Sequence, residues 1–328
     1  MLTFAQFGAG RIGRIHAANI AAHPRARLAR LVDVQDDAAR ALAESVGAVV
    51  CDASSVFADP AIDAVVIGSP TDTHADLIEE AARSGKAIFC EKPIDLSEAR
   101  VNACLATVAK AGVPLMLGFN RRFDPNFAEL RRRIDEGRIG KVEQVIVISR
   151  DPGPPPAGYI RSSGGMFRDM TIHDFDMARW LLGEEPTLVH AVGSVLVDPE
   201  IGRLGDIDTA TVVLTTPSGR QAVISNTRRA VYGYDQRIEV HGSGGMLQAA
   251  NVPISTVSEA GAGGITGDKP MPFFLERYAA AYQAEIDAFI AAVEAGTPPN
   301  PGGEDGRRAL MLADAAIASL KQGQPVAV

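Results

Sequence analysis

The stretch Gly8-Ala9-Gly10-Arg11-Ile12-Gly13 constrains the possible folds of this chain more than any other. It follows a short apolar run, Leu2 to Phe7, that reads as a buried strand. It leads into Ile15 to Ala22, which reads as a helix stopped at His23-Pro24, because proline lacks an N–H and clashes with the preceding turn. A G-x-G-x-x-G string alone is weak evidence. Between a strand and a helix each glycine acquires a purpose: a tight turn, a close approach of backbone to a pyrophosphate, and close helix–strand packing. The helix start then offers free N–H groups to phosphate charge. Asp33 ends the next strand, Leu28 to Val34, twenty residues after Gly13. A carboxylate there accepts hydrogen bonds from an unmodified ribose and repels a 2′-phosphate, which favours NAD over NADP. The expected cofactor contacts are Gly8, Ala9, Gly10, Arg11, Ile12, Gly13, Asp33 and Val34; a glycine-rich turn beside a surface aspartate is the alternative.

With 328 residues, two domains are expected rather than one. Hydrophobic residues make up 46% and charged residues 22%, a globular balance that argues against disorder. The net charge is −8, from 32 Lys+Arg against 40 Asp+Glu, which disfavours nonspecific nucleic-acid binding. No apolar run approaches the roughly 18–20 residues of a membrane span. Met1-Leu2-Thr3-Phe4-Ala5 has no basic leader region, so a cytoplasmic location is expected. Cys51, Cys90 and Cys104 are odd in number and far apart, which argues against a disulfide framework or a zinc site. No histidines pair at H-x-x-x-H spacing, and no metal is expected.

The first third alternates strands and helices. Strands are expected at Ala64–Gly68, 87–90 and 113–117, and helices at 37–46, 73–84 and 97–111, with glycine after each helix. This is the pattern of βαβ units and a parallel sheet. Thereafter a helix at 126–136 and a strand at 142–149 precede a Pro- and Gly-rich loop, Asp151 to Phe167. Strands at 189–197, 209–215, 221–227, 236–241 and 246–249 follow with few helices between them, so a mostly antiparallel sheet is expected. Two late helices carry Tyr278, Tyr282, Ile286, Ile290 and Val293, and Leu310, Ala313, Ile317 and Leu320, on single faces. The expected domains are 1–118, binding a dinucleotide, and 119–328, binding substrate.

Four further clusters could carry chemistry. Ser69-Pro70-Thr71-Asp72-Thr73-His74 lies at the carboxyl end of a strand, where open α/β sheets bind ligands; Ser69, Pro70 and His74 are candidate cofactor contacts, or Asp72 or Thr73 simply caps the next helix. Glu91-Lys92-Pro93 also sits at a strand end, where Lys92 could stabilise developing negative charge, unless it is a plain surface turn. In Asp169-Met170-Thr171-Ile172-His173-Asp174-Phe175-Asp176, Thr171 with Asp174 resembles an N-capping pattern. His173 then falls in a first helical turn, where the dipole favours a neutral, proton-accepting imidazole, with Asp169 or Asp176 orienting it. Tyr232-Gly233-Tyr234-Asp235 could cover a sugar-like ring or form a hairpin with exposed aromatics. Asn120-Arg121-Arg122-Phe123-Asp124 offers one arginine to the cofactor and another to Asp124.

In their order and spacing, these motifs resemble the Gfo/Idh/MocA oxidoreductases along essentially the whole chain. Gly118 to Asp124, Phe167 to Asp176 and Tyr232 to Asp235 look most like the family's bacterial inositol dehydrogenases. The resemblance implies a Rossmann domain, an open-sheet second domain and a homotetramer built through those sheets. It implies a catalytic Lys92, Asp169 and His173, with Glu91, Asn120 and Arg121 near the cofactor. It also implies a polyol bound by Lys92, Asp151, Asp169, His173, Tyr232 and Tyr234. Some members carry asparagine where Asp151 stands, which bears on the preferred stereoisomer. The implied reaction is NAD-dependent oxidation of a cyclic polyol, with His173 as base and Lys92 stabilising the alkoxide. Another inositol isomer or an aldose, an NAD-using glycosidase, and a noncatalytic dinucleotide sensor are the alternatives.

Overall fold

The structure is a computed structural model describing residues 1–328. The chain forms two compact units, Met1–Phe123 with Ala281–Leu310, and Asp124–Ala280 with Met311–Val328.

In chain order the first unit contains β1 (Leu2–Phe7), α1 (Arg11–Ala22), β2 (Ala26–Val32), α2 (Asp36–Val46), β3 (Val49–Val50), α3 (Ala53–Ala58), β4 (Ala64–Ile67), α4 (His74–Arg83), β5 (Ala87–Cys90), α5 (Glu98–Ala111) and β6 (Leu115–Leu117). The six strands pair in the order β3-β2-β1-β4-β5-β6, every pair parallel. Crossover helices cover both faces of such a sheet, so β4 and β5 are apolar and buried at every position. Gly47 and Gly112 end α2 and α5 in the left-handed conformation, as their positions predict. The register sets out the chemistry. Phe7 pairs with Val32 and Ile67, Ile67 with Cys90, and Cys90 with Leu117. Gly8, Asp33, Gly68, Glu91 and Gly118 therefore follow in one row at the carboxyl edge.

The remaining elements are α6 (Pro125–Asp135), β7 (Val142–Arg150), α7 (Ala157–Ser162), α8 (Met166–Asp169), α9 (Thr171–Leu182), β8 (Leu188–Ser194), α10 (Pro199–Arg203), β9 (Thr209–Thr215), β10 (Gln221–Thr227), β11 (Asp235–Gly242), β12 (Gly245–Ala249), β13 (Ser258–Gly261), β14 (Gly264–Gly267), α11 (Phe274–Arg277), α12 (Ala279–Ala295), α13 (Gly303–Gln322) and β15 (Val326–Ala327). A seven-stranded sheet runs β12-β11-β7-β10-β9-β8-β15, antiparallel except between β7 and β10. Arg150 pairs with Thr227 and Asp235, and Thr227 with Thr209. Asp151, Arg228, Asp208 and Tyr234 consequently flank the strands at one end of the sheet. The stretch read as a loop between Asp151 and Phe167 holds α7 and the start of α8.

A single cut near residue 118 does not describe the compact units, because residues 281–310 return to the first. Ile286, Phe289 and Ile290 of α12 join Phe4 and Phe89 in its core. The Phe289 ring stands edge-on to Phe4 at 6.1 Å and to Phe89 at 5.9 Å. No helix is long and apolar enough to cross a membrane.

Candidate active site

The glycine turn is built as its spacing predicts. Gly8 has φ +104°, and a Cβ there would lie 2.5 Å from the Gly68 carbonyl oxygen. A Cβ on Gly13 would overlap the Gly8 carbonyl, so α1 can pack on β1 only with glycine at that position. Gly10 differs, since its Cβ direction opens onto space with no atom within 4 Å. Gly10 is also the N-cap of α1, so no side chain satisfies the first N–H groups of that helix. Open space beside unsatisfied donors suits an anionic diphosphate. Buried Gln6 locks the turn, its Nε2 donating to the carbonyls of Gly8 (2.9 Å) and Gly13 (2.8 Å). Asp33, just after β2, accepts from the backbone N–H groups of Ala9 (2.5 Å) and Gln35 (2.7 Å), so it braces the turn. Arg11 and Val34 are exposed and Ile12 is half-buried.

Lys92 follows β5 and is half-buried, with a cis peptide bond to Pro93. Buried histidines hold both of its neighbours. His16 Nε2 meets Glu91 Oε1 at 2.7 Å; the ring nitrogens of His74 meet the carbonyls of Pro93 (2.7 Å) and Ser69 (2.8 Å). A carbonyl only accepts, so a neutral His74 ring can donate to one of these at a time. His74 thus clamps the β4 and β5 loops together, while the Ser69 and Thr73 hydroxyls bond at 2.6 Å. Thr73 donates to the Pro70 carbonyl instead of capping α4.

Behind Glu91 lies a grouping that sequence spacing did not reveal. Donor atoms of His16, Glu91 and Glu285 lie within 4.8 Å of one another. Glu285 is fully buried, and neither of its carboxylate oxygens has a hydrogen-bond partner. Burial, reinforced by the charge of Glu91, pushes the Glu285 carboxyl well above its ordinary value. Gly118 makes room here, because a Cβ on it would come within 2.9 Å of the Glu91 carboxylate. Asn120 and Arg121 are buried in the 3₁₀ turn after β6; Arg122 reaches Asp305 and Asn300, each at 2.8 Å. Asp124, expected to pair with Arg121 or Arg122, caps α6 and is held by Arg277.

In the second unit His173 is half-buried near the start of α9. The expected Thr171 cap is not formed. The N-cap position is Met170, itself helical, so α8 runs on into α9. The N–H groups of Asp169 and Met170 bond to the carbonyls of Gly165 and Met166. The open helix start therefore lies at Gly165 and the expected dipole effect on His173 is weakened, because it falls off within the first turn. Thr171 instead donates to Asn226 Oδ1 (2.7 Å), and Asn226 Nδ2 donates to buried Asp174 (2.8 Å) and the Ser149 carbonyl (3.2 Å). This buried network fixes the register of α9 on β7 and β10 and with it the place of His173.

Asp169 accepts from the Tyr159 hydroxyl at Oδ1 (2.8 Å) and from Arg228 Nη2 at Oδ2 (3.3 Å). Arg228 is 2% exposed, and its Nη1 lies 3.8 Å from Asp151. Asp176 lies 3.7 Å from Arg179. The Tyr232 hydroxyl donates to Asp235 (2.6 Å) and accepts from Arg150 (3.1 Å). Burial drives Asp235 upward, but bonds from Arg237, Tyr232 and Asn251 outweigh it and hold the carboxyl below its ordinary value. For Tyr234 the sequence leaves open a place over a sugar-like ring or an exposed position in a hairpin. It is buried, with its ring edge-on to Phe273 and Tyr278. The cysteines are free; burial pushes Cys104 up to about 12, which leaves it an inert thiol. Gln6, His16 and Glu285 in the first unit, and Asn226 and Arg228 in the second, support the candidate residues of their own unit without carrying a motif. For Gln6, His16 and Glu285, a polar residue at an otherwise apolar strand or helix position is the signal the sequence gives; Arg228, just past the end of β10, gives none.

Residues 2–119 match the oxidoreductase family with NAD-binding Rossmann fold, and residues 127–248 match the GFO/IDH/MocA C-terminal domain. The chain belongs to the Gfo/Idh/MocA oxidoreductases, and its first unit is the family's NAD-binding domain. It is 54% identical to an inositol 2-dehydrogenase of Rhizobium meliloti, covering 99% of this chain and 98% of that protein. It is 49% identical to a myo-inositol 2-dehydrogenase of Thermotoga maritima, over 97% and 96%. Among solved structures, the scyllo-inositol dehydrogenase of Lactobacillus casei with bound NAD(H) and scyllo-inositol superposes with a TM-score of 0.92 at 30% identity, covering 100% and 99% of the two chains.

Proposed function

We propose that this chain is an NAD-dependent dehydrogenase that oxidises myo-inositol to 2-keto-myo-inositol. The observation that carries this reading is the 54% identity, along nearly the whole chain, with an inositol 2-dehydrogenase. The turn from Gly8 to Gly13 holds the diphosphate, and Asp33 meets the adenosine ribose. Ser69, Pro70, Glu91, Asn120 and Arg121 complete the cofactor's surroundings. Bound NAD supplies the hydride acceptor. His173 accepts the proton of the reacting hydroxyl, and the Lys92 ammonium stabilises the alkoxide that develops as the carbinol C–H bond breaks. Asp169 accepts a hydrogen bond from a neighbouring hydroxyl, and Tyr232 lines the ring. The His16–Glu91 and His74–Pro93 contacts fix the backbone on either side of Lys92.

The protein is read as cytoplasmic, as part of inositol catabolism and as a homotetramer. Ile146, Val223 and Val213 support the last point, forming an apolar row across β7, β10 and β9 on the less buried face of the seven-stranded sheet. Sedimentation of the purified protein tests it, and a monomer would refute it. The test of function is NADH formation from NAD, or NADPH from NADP, across a panel of inositol isomers, aldoses and glycosides. Fastest turnover is expected with myo-inositol and NAD. Glycoside cleavage without net NADH, or tight NADH binding with no turnover, would replace the reading by a glycosidase or a sensor.

A further inference from the structure

Arg228 was no more than a neighbour of the tyrosine motif in sequence, yet it is among the largest fully buried side chains of the molecule. Its place is set by backbone. The Arg228 N–H donates to the Asp208 carbonyl (2.9 Å), Asp151 N–H donates to Thr227 (2.9 Å), and Ala230 N–H donates to Asp151 (2.7 Å). The ends of β7, β9 and β10 are thus knitted together around one guanidinium. That guanidinium faces two carboxylates. Nη2 is 3.3 Å from Asp169 Oδ2, and Nη1 is 3.8 Å from Asp151 Oδ2. A buried cation needs an anion, and the two half-buried carboxylates flanking it repel one another unless a cation stands between them. A planar fork can serve both, whereas the point charge of a lysine cannot. Tyr159 holds the other oxygen of Asp169, so that carboxylate is oriented from two sides.

We propose that Arg228 is the positioning residue of the second unit's reaction machinery. Shared between Asp151 and Asp169, it keeps the Asp169 carboxylate aimed to accept a hydroxyl of the cyclic polyol. Asp151 then acts on the reaction through Arg228 and not by direct contact with substrate. This rests on the dehydrogenase reading above, which the wild-type protein tests separately: wild-type turnover of myo-inositol upholds that reading whatever the variants do.

The experiment measures kcat and KM for myo-inositol, NADH affinity and Tm in Arg228→Met, Arg228→Lys and Arg228→Met/Asp151→Asn. A misaimed reacting group costs on the order of 100-fold, so Arg228→Met is expected to lower kcat by about that factor, with NADH affinity within about twofold. Arg228→Lys restores part of the loss by returning a charge without the fork. Removing the Asp151 charge from the Arg228→Met protein relieves the repulsion between carboxylates and is expected to raise kcat by about fivefold or more over Arg228→Met. Should Arg228→Met fail to fold, Arg228→Lys decides: about a tenfold fall in kcat with KM little changed is expected, and a wild-type kcat overturns the proposal. Loss of kcat in Arg228→Met that neither lysine nor the second substitution recovers would make Arg228 a structural residue only.

Discussion

The candidate site residues of this chain lie at strand and helix ends, and buried partners that carry no motif hold them there. His173→Ala removes the proposed proton acceptor. Turnover should fall by about 10²–10⁴-fold. NADH titration should show affinity near wild type, because the glycine turn is untouched; loss of NADH binding by a folded variant would contradict the assignment. Asp33→Ala has two effects, since Asp33 also holds the Ala9 N–H. NAD affinity should drop and the preference over NADP should disappear, and unchanged relative kcat/KM for the two cofactors would refute the ribose contact. Glu285 bears on stability. Its folded-state value is raised well above the ordinary 4.5, so the folded chain keeps a proton that the unfolded chain has lost. Its contribution is complete below about pH 4.5 and declines as pH rises toward the folded value, by at most about 1.4 kcal/mol per pH unit. The Tm of Glu285→Gln relative to wild type should therefore improve as pH rises above about 4.5, through the window between the unfolded and the folded value. Parallel Tm curves would mean that Glu285 does not hold that proton.

Among the elements, the two glycines that face different surroundings make a direct test. Gly13→Ala pushes a methyl against the Gly8 carbonyl and should cost about 1–3 kcal/mol in urea unfolding. Gly10→Ala meets nothing in the protein, so stability should hold while NADH affinity falls; the opposite pattern would misplace the diphosphate. Elements bounded by strong local signals were legible in sequence. The helices ending at Gly47 and Gly112 and the buried strands at Ala64 and Ala87 are where they were expected. β3 was missed because two residues show no periodicity, although Asp52, which caps α3 by accepting from Ser55, was a readable start signal. Thr171 misled because a hydroxyl that suits a cap also suits a buried asparagine, and only the sheet beneath α9 supplies Asn226. The parallel pairing of β7 with β10 and the meeting of His16, Glu91 and Glu285 depend on long-range register, which no local window contains.

At the scale of the whole molecule, the first unit is discontinuous in sequence. Phe289 packs on Phe4 and Phe89, so Phe289→Ala should destabilise that unit by about 3–5 kcal/mol. A fragment of residues 1–118 should lack a cooperative thermal transition and bind no NADH. A fragment that folded and bound NADH normally would show that α12 is dispensable. The nucleotide-binding motif was visible because its glycines and Asp33 lie close together in sequence, whereas the helix that completes the core around it looked like part of a later domain. This arrangement has a bearing on how the protein is made. During translation the glycine turn and all six of its strands leave the ribosome early, yet Ile286, Phe289 and Ile290 are synthesised more than 150 residues after β6 ends at Leu117. The nascent nucleotide-binding half must wait, its apolar face uncovered, while the entire seven-stranded sheet apart from β15 is being produced. A stalled or prematurely terminated product lacking α12 would be a natural client for holding chaperones, and cofactor capture would follow only once translation has passed Ile290.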